Sequence, residues 1–198
     1  MSDGSVYKNK VSLGLKDLEH VEKFRRAIQA TNNKIVKVVD NRFFKECINW
    51  YFTINDSQLV EDLSKYGMVQ NKTYVGFRFP NIPEEFKYDF VRGYFDGDGS
   101  ISFSQNQNKY RLDWCGNFEF LTDLKIFLGK ENISLCQNSV SKITYNLKIA
   151  GKKDVLRILD AMYKNSTEET RLNRKFEIVQ KAFLLGDYAF EPAKAGCE

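Results

Sequence analysis

The chain of 198 residues consists of two halves that repeat one order of predicted secondary structure. Alternating apolar and polar residues predict half-buried strands, and apolar residues three and four apart predict helices. In the first half these patterns predict two strands, a helix, two strands and a helix, at residues 5–7, 11–15, 17–28, 34–39, 47–54 and 56–66. In the second half they predict the same order, at 100–103, 110–114, 118–128, 134–140, 143–149 and 154–163, followed by a last helix at 171–185. Two copies of one mixed helix-and-strand unit are therefore expected.

A further helix is predicted at residues 84–97, after Pro80 and Pro83 at the join between the halves. Its C-terminal part is the run from Val91 to Gly99, which reads Val-Arg-Gly-Tyr-Phe-Asp-Gly-Asp-Gly. An apolar helix that ends in an acid can hold that acid at a packed interface. If a second acid lies opposite, the pair can bind a divalent metal against a phosphate.

The composition excludes several classes of protein. No apolar stretch approaches the length of about 18 residues that a membrane helix needs, and the first five residues lack the features of a signal peptide, so an intracellular (cytoplasmic) location is expected. The chain has a single histidine, His20, and four scattered cysteines, which makes a zinc site or a Cys-His nucleophile improbable. The net charge of +4 permits a nucleic-acid partner without requiring one.

The run from Val91 to Gly99 resembles the signature of the LAGLIDADG homing endonucleases, an apolar helix with a central glycine that ends in Asp-Gly-Asp-Gly. Two further segments, Gly67 to Thr73 and Phe77 to Pro80, resemble the region between the repeats of the single-chain, two-repeat members. The resemblance covers nearly the whole chain. It implies an α+β fold of two αββαββα repeats, in which curved antiparallel sheets form a DNA-binding saddle.

The same resemblance implies an activity and a division of the chain. The family cuts both strands of a long DNA site with Mg²⁺ (or Mn²⁺), and many members are encoded in mobile introns or inteins, so a phage or bacterial element is a fitting source. The first repeat would occupy residues 1–83, apparently without its own motif helix, the second residues 84–186, and a loose tail residues 187–198.

Particular residues are assigned by matching the family's motif. The resemblance implies that Asp98 and Asp3 are catalytic metal-binding acids and that Gly97 lies in the metal site, since Asp3-Gly4-Ser5 matches Asp98-Gly99-Ser100. It places Gly93, Gly97 and Asp96 at the interface between motif helices. The alternative is that Asp96 and Asp98 only cap a loop, which is the usual role of Asp-Gly pairs.

Two cations are expected near the scissile phosphate. The resemblance implies Lys72 for the first half and Lys175, or Arg174 beside it, for the second half. A cation there would stabilise developing negative charge or polarise a water molecule. A solvated surface lysine is the competing interpretation.

The polar faces of the predicted strands are the expected DNA contacts. Their side chains are long donors or hydroxyls that reach phosphates and base edges, although any antiparallel sheet exposes a polar face to water. The candidate residues are Lys8, Lys10, Ser12, Gln105, Gln107, Lys109, Arg111, Lys142, Thr144, Asn146 and Lys148. A further set of aromatic residues is interpreted as core, namely Phe43, Phe44, Trp50, Tyr51 and Phe52.

Two alternatives to a monomeric enzyme remain open. The chain is either a double-stranded DNA endonuclease or a catalytically inactive protein on the same fold, such as a maturase-like RNA binder, a DNA-binding regulator or a phage-encoded inhibitor. If the helix at 84–97 exposes the face that carries Gly93 and Gly97, two chains can pair there as a homodimer.

Overall fold

The structure of the protein is a computed structural model that describes residues 3–40, 47–70, 76–104, 109–129, 133–139, 141 and 143–186. Contacts between residues divide the chain into two compact units, Met1–Lys72 and Thr73–Glu198. Each unit contains a four-stranded antiparallel sheet with helices on one face. The predicted α+β class, with two repeated sheets, is confirmed.

Unit 1 contains four strands and two α-helices. Its elements are β1 Gly4–Tyr7, β2 Lys10–Leu15, α1 Leu18–Ala27, β3 Ile35–Asp40, β4 Cys47–Asn55 and α2 Ser57–Lys65. The strand order is β1-β2-β4-β3, and every neighbouring pair is antiparallel. A two-residue turn at Lys8 and Asn9 joins β1 to β2, and Lys8 adopts a positive φ of 53° there.

The core of unit 1 lies between one face of the sheet and the two helices. Val21 of α1 and Phe52 of β4 are both fully buried, and the ring of Phe24 meets Phe52 edge-on. A second cluster joins Val6 and Val11 to Met68, which follows α2. Alternation along each strand therefore directs the remaining side chains to the open face of the sheet.

Unit 2 repeats this arrangement with an additional helix before the sheet and another at its end. Its elements are a 3₁₀ turn Glu84–Phe86, α3 Lys87–Asp98, β5 Gly99–Ser104, β6 Lys109–Gly116, α4 Phe118–Leu128, β7 Ile133–Gln137, β8 Tyr145–Ala150, α5 Lys152–Tyr163, a 3₁₀ turn Glu168–Thr170 and α6 Asn173–Leu185. The strand order is β5-β6-β8-β7, the same as in unit 1.

The core of unit 2 is larger and rich in aromatic residues. Trp114 and Leu147 are fully buried on the helix-covered face of the sheet, and the Trp114 ring lies 5.1 Å from that of Phe95 in α3. A chain of ring contacts ties the segment before α3 to α3 and α4, through Phe77, Phe79, Tyr88, Phe90, Tyr94, Phe120 and Phe127. This packing fixes the position of α3 against the sheet.

The observed elements follow the predicted order, with boundaries that shift by a few residues. The strand predicted at 134–140 is found at Ile133–Gln137, and the last helix begins at Asn173 instead of residue 171. The predicted tail at 187–198 lies outside the described residues, and the predicted boundary between the repeats, at residues 83 and 84, stays a prediction. No helix within the described ranges is long and apolar enough to cross a membrane.

One interpretation of the aromatic residues is wrong. Phe52 is core, but Tyr51 is 43% exposed on the open face of the unit 1 sheet, because consecutive residues of a strand point to opposite faces. Trp50 is partly buried against the core cluster that contains Phe52. Phe43 and Phe44 lie outside the described residues.

Candidate metal and nucleic-acid site

Asp98 is the last residue of α3, and its side chain is exposed. The helix before it is anchored by Val91 and Phe95, which are both fully buried. Gly99 follows at once as the first residue of β5. A rigid helix therefore brings a solvated carboxylate to the edge of the sheet.

The junction between α3 and β5 has no room for a side chain. A Cβ atom added to Gly99 would lie 2.2 Å from Cδ2 of Phe95 and 2.6 Å from the carbonyl oxygen of Phe95. The φ angle of Gly99, −88°, is ordinary, so close packing and not backbone freedom requires the glycine. The chain direction immediately after Asp98 is thus fixed by packing.

Lys175 reinforces the same junction. Its side chain is buried, and its ammonium donates hydrogen bonds to the carbonyl oxygens of Phe95 and, at 2.6 Å, Gly99. The charge also lies 4.9 Å from the centre of the Phe95 ring. A cation at the C-terminal end of a helix is favourable, because the last carbonyl groups carry partial negative charge. The neighbouring Arg174 is exposed.

Asp96 lies only two residues before Asp98 but is buried, with 4% of its surface exposed. Its Oδ1 accepts a hydrogen bond of 2.7 Å from the Tyr163 hydroxyl, and its Oδ2 accepts one of 2.9 Å from the backbone N–H of Leu172. Burial, together with the negative charge of Asp96, raises the pKa of Tyr163 well above its ordinary value. Asp96 therefore joins α3 to α5 and to the N-terminus of α6.

Arg92 makes a second polar link between the same elements. Its guanidinium is buried and pairs with Asp89 at 2.6 Å. It also donates to the carbonyl oxygens of Met162 at 2.9 Å and Thr170 at 3.2 Å. Buried charges of this kind are tolerated because each one is paired and hydrogen-bonded.

Asp98 acts electrostatically on the neighbouring strand β6. Burial raises the pKa of the Cys115 thiol, and the negative charges of Asp98 and Asp113 act in the same direction, while a hydrogen bond with Thr144 opposes them. Cys115 is half-buried in β6, on the strand face opposite to Trp114. Gly99 lies opposite Trp114 in the register of the sheet, so Asp98, the residue before Gly99, lies beside Cys115 at the N-terminal end of β5.

The open face of the unit 2 sheet is polar. Arg111 lies between Ser102 and Ala150, and one row further Asp113 lies between Ser100 and Lys148. The carboxylate of Asp113 is 3.9 Å from the Lys148 ammonium, and burial raises its pKa while Lys148 opposes the rise. Predicted contacts that lie exposed on or beside this face are Lys109, Arg111 and Lys148, and those that are partly buried are Thr144 and Asn146.

Unit 1 places Asp3 in the corresponding position. Gly4 begins β1 and lies opposite Leu13, just as Gly99 begins β5 and lies opposite Trp114. Asp3 is exposed and directly precedes β1. Both predicted metal-binding acids therefore occupy the residue before the first strand of their unit.

The open face of unit 1 carries the other predicted contacts. Lys10 and Ser12 point to it from β2, and Lys8 lies exposed in the turn before β2. The hydroxyls of Ser12 and Thr53 are 3.0 Å apart. Four predicted site residues, Lys72, Gln105, Gln107 and Lys142, lie outside the described residues.

The two glycines assigned to a helix interface differ in their surroundings. Gly97 is half-buried, whereas Gly93 is exposed, and a Cβ added to Gly93 would meet no heavy atom within 4 Å among the described residues. The surface of α3 at Gly93 is therefore open to close approach.

The chemistry of Asp98 fits a magnesium ion. Mg²⁺ binds through one or two carboxylates and keeps several waters or phosphate oxygens as ligands, so an exposed acid is a suitable donor. No group of three or more His, Cys, Asp or Glu side chains in the described ranges is placed to hold a metal by itself. Asp98 would thus supply one ligand and leave the other positions to water and phosphate.

The sequence does not reveal the partners of Asp96. Tyr163 is the last residue of the helix predicted at 154–163, and its spacing assigns it no polar partner. The available signal is chemical, because a buried tyrosine hydroxyl requires a hydrogen-bond partner. Which acid supplies that partner depends on how α3 and α5 pack.

Residues 85–162 match a family model described as a LAGLIDADG-like domain. The comparison with curated proteins found no match. The match and the fold together confirm the resemblance to the LAGLIDADG family.

Solved structures share the fold at low sequence identity. The full-length DUF199/WhiA structure from Thermatoga maritima is 16% identical, with a TM-score of 0.53 over 92% of this chain. This chain spans only 56% of that protein. The I-SmaMI LAGLIDADG homing endonuclease bound to cleaved DNA is 12% identical, with a TM-score of 0.58 over 93% of this chain and 85% of that one. The meganuclease I-AabMI bound to uncleaved DNA is 12% identical, with a TM-score of 0.53 over 93% of this chain and 85% of that one.

Proposed function

We propose that this chain, which carries a LAGLIDADG-like domain at residues 85–162, is a site-specific, divalent-metal-dependent DNA endonuclease. The observation that carries the proposal is the exposed carboxylate of Asp98 at the end of a buried helix, next to a sheet face that bears Arg111 and Lys148. The similarity in fold to a homing endonuclease bound to cleaved DNA supports it.

The proposed chemistry is hydrolysis of phosphodiester bonds in double-stranded DNA. A bound Mg²⁺ or Mn²⁺ would polarise the phosphate and lower the pKa of a coordinated water. Asp98 in unit 2 and Asp3 in unit 1 would each bind a metal ion through a carboxylate oxygen. Arg111 and Lys148 would pair with phosphates or base edges and set the register of the duplex.

Lys175, Gly97 and Lys72 are the other residues that the sequence assigns to the metal site or to the scissile phosphate. Lys175 holds the backbone on both sides of Asp98, and we propose that it acts through that acid. Gly97 is the residue before Asp98 and remains a proposed part of the metal site. The role of Lys72 near the scissile phosphate remains a prediction.

The direct test is Asp98→Asn, which keeps the size of the side chain and removes its charge. We expect DNA binding to stay close to that of the parent and Mg²⁺-dependent cleavage to fall by about a hundredfold or more, since the metal loses its anionic ligand. Binding is measured in EDTA by gel shift, and cleavage is measured on duplexes selected from a random library by binding to the parent chain.

The matched control is Glu177→Gln, which removes a negative charge from an exposed position on α6 of the same unit. We expect this variant to keep both binding and cleavage. Full cleavage by Asp98→Asn would exclude the proposed role of Asp98.

The same binding and cleavage assays distinguish this proposal from a second candidate function, nucleic-acid binding without cleavage. The cations on the unit 2 sheet favour it as well, because phosphate binding by Lys109, Arg111 and Lys148 does not involve Asp98. Tight binding in EDTA with no cleavage in Mg²⁺ or Mn²⁺ would identify this function, and preference for RNA over DNA would identify an RNA-binding protein. A homodimer that forms through α3 at Gly93 is compatible with either function.

A further inference from the structure

The open face of the unit 1 sheet carries a patch of large apolar side chains. Tyr51, Val36 and Val38 are 43%, 55% and 42% exposed. They lie on adjacent antiparallel strands, with Val36 directly opposite Tyr51 and Val38 opposite Asn49. We name Gly14, Tyr51, Val36 and Val38 the valine–tyrosine patch.

Gly14 allows the Tyr51 ring to lie across β2. Gly14 is opposite Tyr51 in the sheet, and a Cβ added to it would lie 2.5 Å from Cε1 of Tyr51. The glycine thus leaves room for an aromatic ring that stays on the open face instead of entering the core. The row Gly14–Tyr51–Val36 forms a continuous apolar strip across three strands.

Unit 2 has different chemistry in the same sheet positions. When the two sheets are compared strand by strand, the positions of Gly14, Tyr51 and Val36 in unit 1 are equivalent to those of Cys115, Asn146 and Cys136 in unit 2. The neighbouring row of unit 1 contains hydroxyl groups, Ser5, Ser12 and Thr53, where unit 2 has Ser100, Asp113 and Lys148. The two sheets therefore share geometry but present different groups to a ligand.

We propose that the valine–tyrosine patch contacts the 5-methyl groups of thymines in the major groove, so that unit 1 selects a thymine-rich half of the DNA site. This inference rests on the proposed DNA-binding function. The thymine methyl is the apolar feature of the major groove, and side-chain methyl groups recognise it by direct contact. Val36, Val38 and Thr53 supply such methyl groups on one face.

Charge complementarity supports DNA as the occupant of this face. Lys10 points to the same face, and Lys8 is exposed in the turn beside it. The one acid within the described strands of unit 1, Asp40, lies opposite Cys47, at the other end of β4 from Asn55, which is the partner of Lys10. A ligand with anionic edges and apolar groups between them matches that arrangement.

The test replaces thymine by uracil, which removes only the 5-methyl group. A target duplex is first selected from a random library by binding to the parent chain, and each thymine is then replaced singly. Each contacted position should lose about threefold to fivefold in affinity, the effect of removing one buried methyl group. These positions should cluster in one half of the target.

The protein variants assign the effect to the patch. In Val38→Ala the uracil penalty should disappear at one or two of the sensitive positions, because the methyl group has lost its contact. Val39→Ala is the matched control, since Val39 is 43% exposed on the same strand but points to the opposite face. It should leave every penalty unchanged.

Several results would overturn the inference. Duplex binding with equal affinity for thymine and uracil, or a penalty that Val38→Ala leaves unchanged, would refute it and leave the proposed function intact. Absence of duplex binding by the parent chain would refute both. A concentration-dependent dimer in sedimentation that Val38→Asp abolishes would show that a second copy occupies the face. Tighter binding to a single-stranded competitor, with that preference lost in Tyr51→Ala, would overturn the inference and show that Tyr51 stacks on an unpaired base.

Discussion

Asp96 and Asp98 show how two acids close in sequence acquire opposite environments. Asp96 is buried, and both of its carboxylate oxygens accept hydrogen bonds, whereas Asp98 is exposed beside the open sheet face. A carboxylate whose lone pairs are occupied by Tyr163 and Leu172 is held as a structural link. The exposed carboxylate of Asp98 is accessible to solvent. The two acids differ because Asp96 lies on the buried side of α3 and Asp98 at its exposed end.

The pKa of the Cys115 thiol depends in part on the charge of Asp98 and can therefore be used to test how close the two side chains are. Burial raises the pKa of this thiol, and the charge of Asp98 contributes in the same direction. Asp98→Asn removes that negative charge, so the thiolate becomes easier to form and the pKa should fall. The rate of alkylation by iodoacetamide follows the thiolate fraction, so its midpoint should move to lower pH. Mass spectrometry of the peptide that contains Cys115 measures the rate.

Glu177→Gln should leave the midpoint of Cys115 alkylation where it is in the parent chain. Burial is the larger cause of the raised pKa, so the midpoint in Asp98→Asn should remain above that of an exposed cysteine. An unchanged midpoint in Asp98→Asn would place Asp98 too far from β6 for the proposed site.

At the scale of elements, the junction between α3 and β5 determines where Asp98 lies. The helix is held by buried contacts, by Arg92 and by Asp96, and its last turn is held by Lys175. Gly99 then allows the strand to start against the Phe95 ring. Asp98 is thus positioned by one tight junction.

Gly99→Ala should lower the stability of the protein by overlap with Phe95 and not by backbone strain, because the backbone conformation at Gly99 is one that alanine adopts easily. The new methyl group would overlap the ring and the backbone of Phe95, and overpacking of this kind costs about 1–3 kcal/mol of unfolding free energy. Urea denaturation measures the loss of stability, and cleavage should fall further because Asp98 is displaced.

Gly93→Ala is the internal comparison for Gly99→Ala. A Cβ at Gly93 meets open space, and alanine is favoured over glycine in a helix, so stability should rise by roughly 0.5–1 kcal/mol. Equal destabilisation of the two variants would contradict the packing argument.

At the scale of the whole molecule, the two units use one sheet topology for different surfaces. Unit 1 exposes apolar and hydroxyl groups, and unit 2 exposes charged groups around Arg111 and Lys148. Under the proposed DNA-binding function, unlike faces on a duplicated scaffold would suit an asymmetric site. Gly93 is exposed on α3 and would allow a second chain to approach closely, so the oligomeric state should be measured.

We expect a dimer at micromolar concentration if α3 pairs with a second copy at Gly93. Close backbone approach requires a glycine there, so Gly93→Leu should convert the dimer to a monomer. Light scattering measures the mass, and Glu177→Leu places the same side chain on α6 as the control. A parent chain that is monomeric in this range would rule the pairing out.

Sequence patterns were sufficient for most of the secondary structure. The helix expected at 118–128 is found as α4 at Phe118–Leu128, because its apolar spacing and the glycine that follows it are unambiguous. The shift of β7 arises where polar and apolar residues do not alternate cleanly. Tyr51 was misassigned because the run Trp50, Tyr51 and Phe52 is uniformly aromatic, and its composition does not say which residue faces the core.

The sequence by itself determined the repeated order of elements and the family signature, since periodicity and short motifs are local properties of the chain. Only the tertiary structure decided that Asp96 is a buried link, that Lys175 holds the end of α3 and that Tyr51 lies on the open sheet face. Those outcomes depend on which side chains from distant segments pack against one another. Local sequence patterns do not specify these contacts, because they form only when the core is assembled.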